Sequence, residues 1–576
     1  MKIIIEKVLV MLFVIVLLNA CGGSSVVGDD NNSSLKKDGT DAEANKTSPN
    51  IPEKTLSACT ITVKVGSSIQ DAVDGAKSGD TICIESGIYR EEVTIRAFKG
   101  PLTMRGLTPV NRDTPNSGGG AILSGKTLSS ISNGVIDIFD SSYITISGLT
   151  IEDANNDNEE IGIDIENSQN ILIEDNLIQR INSSGIGAWS KVGGRGNPIG
   201  GSANIILRNN TIIDVNDGGG NEKISVAGVD GFLVYGNDIY NINRAVDTSK
   251  GGEGIDIKQG SRNGKVYDNH IHDIDSTKGV KRPCLYVDAF NYDTYNIEVF
   301  NNIIYNCGAT AIMVSDEVAG AGILENLLIY NNLIFDNDAD IIAGSPDRNA
   351  IEISTTNEGS GVKSVKNIAV FNNTIHNSSG GIIVKDQSLS ANGIANITIQ
   401  NNIISGNTGG YNISTKNLQS FANENIEAVK VYKNLYEKDL TIVDIWGGGY
   451  HSYSGSQTDE NGDIIDTSNQ KILEINPLVN PTNRDYLAGD FKLKSGSLGV
   501  DYGSSKADII ATFSKFTYTK VENPSLHIDN NPSTFLSTDL TILGVVAKSF
   551  SSKLDKDLSG ATRPQGNGVD IGAYQN

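Results

Sequence analysis

Four side chains on two short, similar segments could do acid–base chemistry together: Asp256 and Lys258 in GIDIK, and Tyr286 and Asp288 in CLYVD. A carboxylate, an ammonium, a phenol and a second carboxylate can between them take a proton, give one and neutralise an anion. Glu253 precedes the first segment, and the flanking stretches TSKGGEGIDIKQGSRN and GVKRPCLYVDAFNYD add Arg262 and Arg282. Glu352 stands in a later segment of the same form, AIEIS, and Trp189 in an earlier one, GIGAW. The purely structural alternative is a Lys258–Asp288 surface pair worth about 0–1 kcal/mol, with Tyr286 as strand filler. Against it stands the crowding of glycine, arginine and acidic residues beside the same two strands.

The elements that position these residues follow from alternation. The segments GIDIE (162–166), GIGAW (185–189), KISVA (223–227), GIDIK (254–258), CLYVD (284–288), AIMVS (311–315), AIEIS (350–354) and GIIVK (381–385) share one pattern. Period two sends their Ile and Val positions inward and the intervening positions outward. One outward column reads Asp164, Gly187, Ser225, Asp256, Tyr286, Met313, Glu352, Ile383. The other reads Glu166, Trp189, Ala227, Lys258, Asp288, Ser315, Ser354, Lys385. If the segments stack as strands, neighbours in a column lie about 4.8 Å apart. An outward Trp189 would then offer a sugar-stacking platform beside the charged groups.

A second repeat says that they do stack. A strand-like stretch, one or two asparagines, one residue and then Ile or Leu recur about every thirty residues, as in ILIEDNLI, FLVYGNDI, LIYNNLI and ITIQNNII. The second asparagines are Asn176, Asn210, Asn237, Asn269, Asn302, Asn332, Asn373, Asn402 and Asn434. A buried Asn persists only if its amide is satisfied, and stacking Asn on Asn at each turn does that. The fold class is all-β: a parallel β-helix solenoid. SSIQDAVDGAKSGD reads as an N-terminal capping helix, with Ser67 or Ser68 as N-cap, Ile69, Ala72, Val73 and Ala76 on one face, and Gly79 ending it. Such a helix covers the cross-section that the first coil would expose. The coils should run over 57–440, and 441–576 read as a loop-rich C-terminal cap.

The opening IQDAV…GDTI…GIY followed by YITISGLTI resembles bacterial right-handed parallel β-helix proteins, the pectate lyase-like group that includes pectate, alginate and chondroitin lyases. The resemblance covers about residues 60–440 and implies a right-handed coil and action on uronate-containing, acidic polysaccharide. Under it, Glu253, Asp256 and Asp288 would bind Ca2+, a hard cation taking oxygen ligands. The metal would bridge a uronate carboxylate and acidify the C5 proton. Lys258 would remove that proton if its pKa were lowered, and Arg262 or Arg282 would neutralise the carboxylate or assist the leaving group. Trp189 and Glu352 would contact the substrate. Three alternatives remain open on the same face: a hydrolase pairing Asp256 with Asp288 or Glu352, a uronan C5-epimerase, and a non-catalytic glycan-binding surface protein.

Composition bounds the rest. Across 576 residues there are 62 glycines, 6% aromatics and a formal charge of −23, which excludes nucleic acid as an electrostatic partner. Lys2 and Lys7 precede a short apolar run ending in Leu18-Asn19-Ala20-Cys21, which resembles a bacterial lipobox. The expectation is a signal peptide over 1–20, a diacylated Cys21, a polar tether over 21–56, and a monomer held at the bacterial outer membrane by its lipid alone. Cys59 could bridge to Cys83, and Cys284 to Cys307, in an oxidising compartment. No Cys/His spacing suggests zinc, and the five histidines read as scattered; His270 and His272 read as turn caps, and His376 as the repeat of His272.

Overall fold

The computed structural model describes residues 57–437 apart from 113–118, 129–130, 155–159, 191–200, 217–220, 243–251, 275–282, 318–321, 338–348, 356–363, 386–392, 408–410 and 417–428, and beyond them 441–445, 456–458, 464–466, 471–473, 478, 557–558 and 573. Three long sheets of parallel strands wind into a solenoid: sheet A of 13 strands, sheet B of 13 and sheet C of 12. Each coil gives one strand to each sheet, as Ile255–Lys258 (C), Arg262–Tyr267 (A) and His270–Ile274 (B) show. The inward positions, such as Ile255, Ile257, Val266 and Ile271, are fully buried in one continuous aliphatic core. The expected parallel β-helix is therefore present. Strands Thr441–Ile445 and Lys471–Leu473 join sheets C and B, so the coil winds on past residue 440.

The asparagine ladder is built as expected. Asn176 Nδ2 donates to Asn210 Oδ1 (3.0 Å), Asn210 to Asn237 (3.1 Å), and Asn237 to Asn269 (2.9 Å). The chain of bonds continues through Asn302, Asn332, Asn373 and Asn402 to Asn434. Each Oδ1 also takes a backbone N–H from the coil before, as Asn269 does from Asn237 at 3.1 Å. The residue ahead of each ladder Asn has positive φ: Asp175, Asn209, Gly236, Asp268, Asn301, Asn331, Asn372, Asn401 and Lys433. That explains the first asparagine of each phrase, because Asn, Asp and Gly adopt this conformation at least cost. A second ladder, Asn263–Asn296–Asn326–Asn367–Asn396, has each amide donating to the coil before at 2.8–3.1 Å. It too stands on positive-φ residues. Tyr235, Tyr267, Phe300, Tyr330 and Phe371 stack along sheet A at 4.7–4.9 Å.

The N-terminal helix is Ile69–Gly75, capped by Ser68, with Ile69 and Val73 buried. Glu91 extends the cap, accepting from Ile69 N (2.8 Å) and Gln70 N (3.1 Å). The helix stops at Gly75 rather than running to Gly79, because Ala76 is already extended. Both disulfides form, Cys59–Cys83 and Cys284–Cys307. From the expected C-terminal cap, Leu478 and Ala573 pack on Leu333, Phe335, Ile403 and Leu435 of sheet B. Cys21, the signal segment, the tether and most of 441–576 lie outside the described residues. No helix among the described residues is long and apolar enough to cross a membrane.

Candidate functional site

Sheet C stacks both outward columns in the expected order. Asp164, Gly187, Ser225, Asp256, Tyr286, Met313, Glu352 and Ile383 pair strand by strand. Asp256 stands opposite Tyr286, and the same register carries Lys258 beside Asp288. Because Ile255, Ile257, Leu285 and Val287 fill the core, the four polar side chains project from the other side of the sheet. The structure thus brings them together, but not in an open groove. Asp288 is 0% exposed, Asp256 2% and Tyr286 6%. Lys258 and Glu253 are the half-buried members.

Within the cluster Lys258 is the hub. Its Nζ lies 2.9 Å from Asp256 Oδ2 and 2.5 Å from Glu222 Oε1. Glu222 Oε2 in turn accepts from Ser225 Oγ at 2.5 Å. Asp288 Oδ1 accepts from Phe290 N at 2.7 Å. Asp256 Oδ1 and Asp288 Oδ2 are buried and, among the described residues, accept no hydrogen bond. Glu222 has no place among the sequence candidates, although a signal exists. It stands two residues ahead of Ile224 as Glu253 stands two ahead of Ile255, and those isoleucines pair. Acid above acid at one register position was legible only once the register was known.

The electrostatics follow from burial. Desolvation pushes the Asp256 carboxyl well above its ordinary range; Lys258 opposes this, while Asp288, Glu222 and Glu253 add to it. Asp288 is also raised, by burial and then by the neighbouring acid Glu317. Burial keeps the Tyr286 phenol neutral, reinforced by Glu317, Asp288 and Asp256. For Lys258, burial alone would lower the pKa, but Asp256, Glu222 and Asp288 outweigh it and hold the ammonium above its usual range. The expected proton-accepting Lys258 therefore meets the opposite environment: acids surround it where cations were needed.

Other sequence candidates fall elsewhere. Trp189 occupies its outward column position, yet it is 1% exposed and packs with Ile161 and Ala227, so it is no stacking platform. Arg262 opens a strand of sheet A and pairs with Asp230 at 2.8 Å. Glu352 stands three strands beyond Asp256 in the column, about 14 Å at about 4.8 Å per strand. It accepts from Asn349 Nδ2 at 3.0 Å and faces Lys385 at 3.9 Å. That separation removes it as the partner of Asp256 in a hydrolytic pair, which needs at most about 9.5 Å. Arg282 lies outside the described residues. His270 and His272 lie on the strand His270–Ile274 of sheet B, not in turns. His376 does share the His272 column, through Tyr305 and Phe335.

Calcium finds charge here but not a cage. A Ca2+ ion takes six to eight oxygens at roughly 2.3–2.6 Å, so its ligand atoms must crowd together. Among the described residues, the acidic and histidine groups whose ligand atoms gather within 4.8 Å are Asp238, His270 and His272, and the set Glu253, Asp256 and Asp288 does not meet that spacing. Lys258, bonded to Asp256, fills the position a cation would take. The donor set does not fit calcium, and no step is routed through it.

No family model matches this chain. Among curated proteins it is similar to the uncharacterized protein YwoF of Bacillus subtilis (strain 168), 25% identical over 311 residues, which cover 46% of this chain and 64% of that protein. The chain thus matches less than two thirds of that relative's length. Among solved structures it is similar to an alginate lyase from Paenibacillus sp. str. FPU-7 (18% identity, 54% of this chain and 98% of that one, TM-score 0.37). It is also similar to the PL6 family alginate lyase AlyGC (16%, 70% and 55%, TM-score 0.39). A third is XylC, solved in complex with xylose (14%, 71% and 83%, TM-score 0.41).

Proposed function

We propose that this chain is a polysaccharide lyase that cleaves uronate-containing glycans by β-elimination at the Asp256–Lys258–Tyr286–Asp288 cluster, without a calcium-borne step. The observation that carries this reading is the buried ammonium of Lys258, 2.9 Å from Asp256 and 2.5 Å from Glu222, beside two buried carboxylate oxygens without a donor among the described residues. Buried charges on the outer side of a solenoid are costly where apolar residues would serve, and perturbed groups gather at reactive sites.

The roles follow from the protonation each environment favours. Lys258, half-buried and cationic, pairs with the uronate carboxylate and so acidifies the C5–H bond. Asp288 or Asp256, its basicity raised by burial, takes the C5 proton. Electrons from that C–H bond form the C4=C5 double bond as the C4–O bond breaks. Tyr286, a neutral phenol, gives its proton to the departing oxygen. The products are an unsaturated uronate and a free hydroxyl end, and the proton taken by the carboxylate returns to the phenolate through solvent.

A hydrolase is the second reading, favoured by the mutual electrostatic influence of Asp256 and Asp288, whose paired elevation suits an acid and a base. Incubation with a panel of uronans, with and without EDTA, separates the two. Growth of the ultraviolet absorbance of an unsaturated uronate, unchanged by EDTA, is the expected result. Reducing ends without that absorbance would replace elimination by hydrolysis, and an EDTA-sensitive rate would restore calcium. A folded protein silent on every glycan would leave a binding role, already weakened by the burial of Trp189.

The proposal includes an acidic glycan as the partner, a monomeric chain and anchoring through a lipidated Cys21 at the outer membrane. Cys21→Ser should move the protein from the membrane to the soluble fraction, and retention at the membrane would remove the anchor.

A further inference from the structure

On sheet B, on the same coil as the cluster but on a different sheet, two histidines and an aspartate converge. His270 and His272 alternate by two along one strand and so share a face, and Asp238 pairs directly with His270 from the coil before. Asp238 Oδ1 lies 3.1 Å from His270 Nδ1 and 3.3 Å from His272 Nε2. Two ligands held tetrahedrally at about 2.0–2.1 Å from one zinc ion stand about 3.3 Å apart. Both distances from Asp238 are thus already those a single small ion requires, and all three ligand atoms lie within 4.8 Å of one another.

Two further observations point the same way. His272 Nδ1 lies 2.8 Å from Asp273 Oδ2, so a neutral ring that donates from Nδ1 to that carboxylate presents its Nε2 lone pair on the Asp238 side. A carboxylate behind an imidazole is the usual outer support of a metal-bound histidine. The His272 ring is also clamped between Tyr240 and Tyr305, at centroid distances of 4.7 and 4.9 Å, which sets its plane. Asp238 is 42% exposed at its side chain and His270 28%, which leaves a coordination position open to solvent. Reading the five histidines as too scattered for a metal overlooked that Asp238 arrives from another coil.

We propose that Asp238, His270 and His272 form a three-ligand site for a divalent transition ion of the zinc type, with its remaining position open to water or an anionic group. Nitrogen-rich donors of this kind suit Zn2+ or Co2+ rather than the oxygen-seeking Ca2+ or Mg2+. The site stands apart from the elimination chemistry and does not depend on it.

The test is titration of the full chain, stripped with EDTA and then freed of it, with Zn2+ by calorimetry and with Co2+ by visible absorption. The expected result is one ion per chain in the micromolar range or tighter, with the intense bands of four- or five-coordinate Co2+, and no competition from Ca2+. His272→Ala should cost ~100-fold or more in affinity, and Asp273→Asn, on the outer support, ~10-fold. Asp273→Asn leaves the three ligands in place, so it keeps the test decisive should His272→Ala not fold. The absence of saturable binding would overturn the site, as would affinity unchanged in both variants. The first result would leave Asp238 as a hydrogen-bond acceptor for two imidazoles and nothing more.

Discussion

One turn of the solenoid carries both clusters. The strand Ile255–Lys258 presents Asp256 and Lys258 on sheet C, and the strand His270–Ile274 presents His270 and His272 on sheet B. The coil before completes each, with Glu222 on one side and Asp238 on the other, and the coil after adds Tyr286 and Asp288 or Tyr305. On sheet C several acids share one ammonium away from water, so the groups must neutralise one another. On sheet B one carboxylate meets two imidazoles within reach of solvent, so an ion can enter. In a solenoid a side chain's chemistry is decided by the residue one coil away, and burial decides whether water, a proton or a metal balances its charge.

The largest expected effect separates the two faces. Lys258→Met should lower kcat/KM by ~10³-fold or more, because it removes the group that neutralises the substrate's carboxylate. It should also cost about 3–5 kcal/mol of stability at neutral pH, because Asp256 and Glu222 stay buried without their cation. His272→Ala should leave turnover within about two-fold, since its loss is felt in metal affinity. Steady-state kinetics on a uronan and urea unfolding of both variants check this. Equal losses in the two would join the faces into one site; full activity in Lys258→Met would end the elimination reading.

The fold was legible because each coil repeats its signals. Strand alternation placed Ile255 and Ile257 inward and Asp256 and Lys258 outward, and the spacing of the second asparagines set the ladder from Asn176 to Asn434. The Cys59–Cys83 bridge followed from two short strands flanking the capping helix, and Cys284–Cys307 from a spacing of about one coil. What failed was the step from outward to exposed. Trp189 and Asp288 both leave the core side of sheet C, yet neither meets water. Alternation reports which side of a sheet a residue takes and says nothing of what lies over that side. The reversal at Lys258 has the same origin, since its pKa depends on Glu222, 36 residues earlier and a neighbour only through the register. The second asparagine ladder has a sequence signal as well, each member standing six residues ahead of a first-ladder asparagine, as Asn263 does before Asn269 and Asn296 before Asn302.

A narrower cut sharpens the roles inside the sheet C cluster. Tyr286→Phe removes one oxygen from a side chain opposite Asp256 and leaves the ring to pack. If Tyr286 protonates the leaving oxygen, kcat should fall by about 10²-fold or more with KM little changed, the range for losing a general acid. A substrate with an activated leaving group, which needs no proton, should recover most of the loss. Structural filling alone would move stability and spare kcat, and no recovery with the activated substrate would take the acid role from Tyr286.

The smallest expected effect concerns Asp137, an acid higher on the same column, to which no lysine pairs among the described residues. Asp137 pairs with Asp164 on the next strand and is 1% exposed. Burial lifts its pKa to about 8, helped by Glu92 and Asp164, against a hydrogen bond from Gly134 N. A carboxyl raised in the folded state binds a proton that the unfolded chain has already released, so this group costs stability as pH climbs from its ordinary value of 3.8 toward 8. Below that window folded and unfolded chains are both protonated, and the penalty vanishes. Asp137→Asn keeps an oxygen for Gly134 N and removes the charge, so it should stabilise the protein at pH 8 by ~1 kcal/mol or more. At pH 4 the variant and the parent should unfold alike. Asp256→Asn on the same column should shift stability at pH 8 in the same direction but by less, since burial raises that carboxyl too while its loss takes from Lys258 a partner at 2.9 Å. Thermal unfolding of the two variants at both pH values measures the difference, and an equal gain in both would mean that Lys258 does not set the upper and lower parts of the column apart.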